Sequence, residues 1–111
     1  LKEQQKVLNL TSKLNKLQLD YEKEKATYND ITQAAAEANA NANIATTDFN
    51  STDAKSTVKD AKDTIKALKE AKKANKKLKK VQQKLSKMEK KIANLQNRLD
   101  NLNKGIEFVN Q

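Results

Sequence analysis

Residues 78–109 read LKKVQQKLSKMEKKIANLQNRLDNLNKGIEFV. Within this stretch Leu78, Val81, Leu85, Met88, Ile92, Leu95, Leu99, Leu102, Ile106 and Val109 recur at alternating steps of three and four, and nearly every residue between them is polar. That spacing gives a helix one narrow apolar stripe, the seam of a coiled coil. Such a stripe adds little to an isolated helix and becomes stable only when another helix covers it. The fold therefore turns on what does the covering.

The N-terminal half carries a matching stripe. Val7, Leu10, Leu14, Leu17, Tyr21, Glu24, Tyr28 and Ile31 keep the same rhythm, which continues through Ala35, Ala38, Ala42, Ala45 and Phe49. This predicts a first helix over about 3–49. The run AAAEANANANIA at 34–45 reads as helix and not as a linker, because alanine is the best helix former and the alanines hold the seam phase. Asn50, Ser51, Thr52 and Asp53 form the one cluster of cap and turn residues between the two periodic stretches, so the chain is expected to reverse at 50–53. A second helix over about 54–104 then opens with Ala54, Val58, Ala61, Ile65 and Leu68 on its seam, with a one-residue phase slip before Ala71, Ala74 and Leu78.

Folding the second helix back about that turn pairs Ala45 with Val58, Ala42 with Ala61, Ala38 with Ile65 and Ala35 with Leu68. Beyond the slip, Ile31 meets Ala71, Glu24 meets Leu78, Tyr21 meets Val81, Leu17 meets Leu85, Leu14 meets Met88, Leu10 meets Ile92 and Val7 meets Leu95. Small residues face large ones nearly throughout, as a constant helix spacing requires. The reading is all-α: one long antiparallel two-helix coiled-coil hairpin spanning 1–111, about 70 Å long at ~1.5 Å per residue, with a three-helix or oligomeric helical bundle as the alternative. In this register Leu99 falls opposite Glu3, and Leu102, Ile106, Phe108 and Val109 have no partner, so a protein partner or the remainder of a larger chain is expected at the hairpin base. Segment 105–111 has two readings: Gly105 ends the helix and 106–109 begin a strand of a further domain, or the helix runs on.

Composition agrees. The 111 residues include no Pro and one Gly, with 36% hydrophobic and 33% charged residues, which favours long helices over a thick globular core. The absence of Cys excludes disulfides and thiolate chemistry. No apolar run approaches the ~20 residues of a membrane span, so the stretch is expected to be soluble. A start at Leu1 and not at Met is expected of a processed chain or an excised segment.

The net charge of +9 comes almost wholly from lysine. Lys73, Lys77, Lys80, Lys84, Lys87 and Lys91 follow steps of three and four, and Arg98 continues the same edge, which also carries Lys6 and Lys13. This basic ribbon is the candidate binding surface for a polyanion (nucleic acid, an anionic polymer or a lipid surface) or for an acidic protein helix, although its plainer reading is a solvated face that keeps the helix soluble. Lysine in place of arginine, and no interleaved aromatics, weigh against nucleic acid. Phe49 is a candidate contact at the tip, although packing is its plainer role. Tyr21 and Tyr28 fall on the seam. Glu24, the polar seam residue, is expected to reach Lys79 or Lys80 or to snorkel outward.

No catalytic, metal or cofactor set emerges: His and Cys are missing, and the spacing of Ser86 and Lys90 is common by chance on an exposed helix. Asn9-Leu10-Thr11 and Asn50-Ser51-Thr52 match glycosylation sequons, which matter only in a secretory eukaryotic protein. The functional expectation is a non-enzymatic arm or spacer of a larger surface, secreted or transport-related protein, extracytoplasmic in preference to cytoplasmic. In outline it is similar to the hairpin arms of bacterial transport adaptors, surface proteins and scaffold proteins, a likeness of architecture that names no family. The alternatives are a basic arm that binds a polyanion through the lysine ribbon and a homo-oligomer of hairpins.

Overall fold

The computed structural model describes residues 1–47 and 54–110, with side chains for 1–47 and 57–106. It is a helical hairpin of two helices, α1 (Lys2–Thr47) and α2 (Ala54–Asn110), that pack antiparallel. The expected turn at Asn50–Asp53 and the expected contact at Phe49 lie outside the described residues. Among the described residues no helix is long and apolar enough to cross a membrane.

The alanine-rich run is helical, as its propensity requires. Four threonines along α1 return their hydroxyls to the preceding turn: Thr11 to the Val7 carbonyl at 2.7 Å, and Thr32, Thr46 and Thr47 to the carbonyls of Tyr28, Ala42 and Asn43 at 2.8 Å. These bonds satisfy the hydroxyls within the helix, where threonine otherwise competes with helical structure. At the other end, α2 passes through Gly105 without a left-handed residue, and 106–109 are helix. The strand reading is thereby corrected: Ile106 and Val109 keep the seam phase, and nothing in the backbone at Gly105 breaks it.

The chain forms two compact units. The first comprises 1–26 with 83–111, the second 27–82. In the first, Leu10, Leu14 and Leu99 make one buried cluster, with Val7, Ile92, Leu95 and Leu102 packed against it. Leu99 is therefore not opposite Glu3 and Leu102 is not uncovered; both expectations fall. Two cross-helix contacts measure the error. Glu24 pairs with Lys84 and not with a residue near Leu78, and Tyr21 bonds to Glu89 and not to a neighbour of Val81. The pairing is displaced by six to eight residues, one heptad. A seven-residue repeat offers the same face again after two turns, so the stripe alone does not distinguish the two registers. The observed one covers large leucines at the base, each worth about 1.5–3 kcal/mol when buried.

The second unit shows the same displacement: the Thr64 hydroxyl donates to the Ala45 carbonyl at 3.2 Å, six residues from the expected Val58. Here the phase slip is also absent. The α2 seam continues backward from Ala71 in unbroken phase, half-burying Ala67, Thr64, Ala61, Asp60 and Thr57. Val58, Ile65 and Leu68 stay 57, 53 and 50% exposed. A slip needs local rewinding of the helix, and the small side chains of Ala67 and Thr64 instead let α2 lie against Ala42 and Ala45. The expected alternation of small with large is replaced by small against small, with Ala35, Ala42 and Ala71 buried.

These assignments separate by mutation. Leu99→Ala should cost about 2–4 kcal/mol in urea unfolding, whereas Leu68→Ala should cost less than about 1 kcal/mol. Equal losses at the two sites would restore the alternating register.

Candidate functional site

Flanking the seam, the first unit carries a row of cross-helix polar contacts. Lys84 Nζ lies 3.1 Å from Glu24 Oε2, with the lysine side chain 63% and the glutamate 19% exposed. Glu24 thus sits half in the seam and extends its carboxylate to the facing helix, a polar seam residue of the kind that favours one register. One turn further toward the base, Tyr21 Oη donates to Glu89 Oε1 at 2.6 Å, and Lys25 Nζ stands 5.9 Å from the centre of the Tyr21 ring, the outer limit of a cation–π contact. The hydrogen bond to Glu89 raises the Tyr21 pKa above its ordinary 10.0, with desolvation and the Glu89 charge acting the same way.

In the second unit Asn39 and Asn75 form a reciprocal amide pair, each Nδ2 donating to the other's Oδ1 at 3.0 and 3.1 Å. Each lies one residue past a seam alanine, Ala38 or Ala74. Asn39 was hidden in the sequence among the alternating asparagines of 39–43; only the facing register tells it from Asn41 and Asn43.

All seven residues of the proposed basic ribbon are exposed on α2. Lys73, Lys77 and Lys80 belong to the second unit, and Lys84, Lys87, Lys91 and Arg98 to the first. Of these, Lys84 is neutralised by Glu24, so the expected reach of Glu24 toward Lys79 or Lys80 is corrected, again by the heptad displacement. Lys6 and Lys13 of α1 line one groove of about 550 Å³ with Arg98, together with Asn9 and Asn101. Three cations from two helices thus share one concavity, a juxtaposition that charge pairing would avoid and that an anion would relieve. Ser86 and Lys90 are both exposed. Among the described residues no group of three or more His, Cys, Asp or Glu is placed to hold a metal ion.

No family model, curated protein or solved structure matches the chain.

Because the Tyr21 pKa is raised in the folded state, its contribution to stability is whole below pH 10 and is lost as pH climbs through the folded value. In a Tyr28→Phe background, the tyrosinate absorbance of Tyr21 should therefore rise later than in a free peptide, and Glu89→Ala should bring the transition back. A transition that ignores Glu89→Ala would show that the bond does not form in solution.

Proposed function

We propose that this chain is a non-enzymatic structural and interaction module, a coiled-coil arm or spacer within a larger assembly, making its protein contact at the base. What supports the reading is where the burial lies. The buried side chains among the described residues are Leu10, Leu14, Leu85 and Leu99 in one unit and Ala35, Ala42 and Ala71 in the other, all on the seam between two helices. The two helices thus bury a narrow seam and spread most of their described residues over solvent-exposed faces, an arrangement suited to presenting surfaces to a partner. At the base, Leu102, Ile106, Gln4 and Asn101 line an open groove of about 360 Å³, where a docked partner would extend the leucine cluster. Photo-crosslinkers placed at Gln4 and Asn101 in the native context should capture a protein. Capture of nucleic acid or glycan alone would sink the reading.

A second reading is favoured by Lys6, Lys13 and Arg98 meeting in one groove: the base half binds a polyanion. Three phosphate contacts to a single strand, each adding a slope of about −0.7, would weaken affinity roughly 15–20-fold for a fourfold rise in salt. The combined variant Lys6→Glu, Lys13→Glu and Arg98→Glu should abolish binding to oligo-dT or heparin. Binding that is flat in salt and indifferent to those changes removes this reading.

A further inference from the structure

The first half of α2 carries two seams. One, through Thr57, Asp60, Ala61, Thr64 and Ala67, faces α1. The other, through Val58, Ala61, Ile65 and Leu68, is spaced by three and four just as a helix-binding stripe is, yet its large members are half exposed or more. A helix whose apolar surface extends over two adjacent stripes has the pattern of one that packs against two neighbours. Single exposed aliphatics need no explanation, and Leu8 and Leu19 on α1 are of that kind, eleven residues apart. Three aliphatics on one stripe are different, because a covering helix would take the exposed half of all three out of water together.

Past Leu68 the same side of α2 turns cationic. Leu68 lines a groove of about 550 Å³ with Lys72, Lys76 and Lys79, floored by Ala42 and Ala71 and bounded on α1 by Asn39 and Asn43. Among the described residues none of these three lysines pairs with a carboxylate. Asp60 and Asp63 line a separate groove with Ile44, so they neither neutralise the lysines nor repel an acidic ligand there.

We infer that the exposed stripe of Val58, Ile65 and Leu68, together with the lysine groove that continues it from Leu68, receives one amphipathic helix of a partner protein, apolar along the stripe and acidic where it meets Lys72, Lys76 and Lys79. A second copy of the chain fits poorly. The antiparallel register that sets Val58 against Leu68 and Ala61 against Ile65 matches the aliphatics but carries Lys76 and Lys79 past the start of the facing α2 at Ala54 and gives them no acidic partner there, and parallel pairing sets Lys72 against Lys72, a repulsion that two like charges on facing helices impose. The inference rests on the reading of the chain as an interaction module and gives that module a partner chemistry and a second contact, away from the base.

The test uses the full chain and a fluorescent synthetic helix of about three heptads, with leucines on the stripe of two heptads and glutamates in the third, read by anisotropy. The wild-type chain should bind it saturably. The paired change Ile65→Gln and Leu68→Gln should weaken binding at least about tenfold with helicity by circular dichroism unchanged. Because lysines on an exposed face can be altered without touching the seam, Lys72→Glu, Lys76→Glu and Lys79→Glu together give an independent check: this variant should lose the glutamate peptide and accept one ending in lysines. Polyglutamate binding as tightly as the amphipathic helix, affinity indifferent to both variants, or a dimer in sedimentation that Ile65→Gln and Leu68→Gln dissolve would each overturn the inference. Failure here with a protein still captured from Asn101 leaves the arm reading standing, whereas loss of both brings it down too.

Discussion

Leucine packing at the base has to settle a degeneracy that the heptad repeat itself creates. Two stripes of period seven match again after every two turns, and only unequal contacts choose among the matches. Leu10, Leu14 and Leu99, with Val7, Ile92, Leu95 and Leu102 around them, provide the largest inequality, since sliding α2 by one heptad would leave Leu99 and Leu102 in water. The polar contacts agree with that choice. Glu24 with Lys84, Tyr21 with Glu89 and, in the other unit, Asn39 with Asn75 each link specific residues across the helices. An exposed pair of this kind adds little energy by itself, but a wrong register loses all of them together.

The two units meet the same packing problem with different side chains. In the first, leucines pack together with Val7 and Ile92. In the second, alanines and threonines face one another, and small seam residues let two helices approach closely. Thr64 is placed to use that approach, reaching the carbonyl of Ala45 on α1. Close packing of small residues buries less apolar area than leucine packing does, so the second unit draws less stability from its seam. It is also the unit in which three aliphatics of one stripe, Val58, Ile65 and Leu68, stay half exposed or more.

Charge follows a different logic from packing. The chain tolerates Lys6, Lys13 and Arg98 in one groove, and what is buried among the described residues is apolar, so apolar burial more than charge pairing holds the helices together. Screening by salt should therefore relieve repulsion more than it removes attraction.

The helices, their seam on α1 and the seam of α2 from Ala71 onward were legible in the sequence because they depend on local propensity and on a period that neighbouring residues carry. Every seam residue named between Val7 and Ala45 is buried or half-buried. What the sequence left undetermined was everything that depends on which turn meets which. The one-heptad register, the partners of Glu24 and Tyr21, the Asn39–Asn75 pair and the grouping of Lys6, Lys13 and Arg98 all follow from that choice. The face of α2 at Val58, Ile65 and Leu68 was misassigned for a related reason: a stripe of aliphatics announces that something should cover it and not which helix will. Only the tertiary structure decides this, because the cost of rewinding α2 is set against the fit of Ala67 and Thr64 on the alanines of α1, a comparison between two chain segments that neither segment records alone.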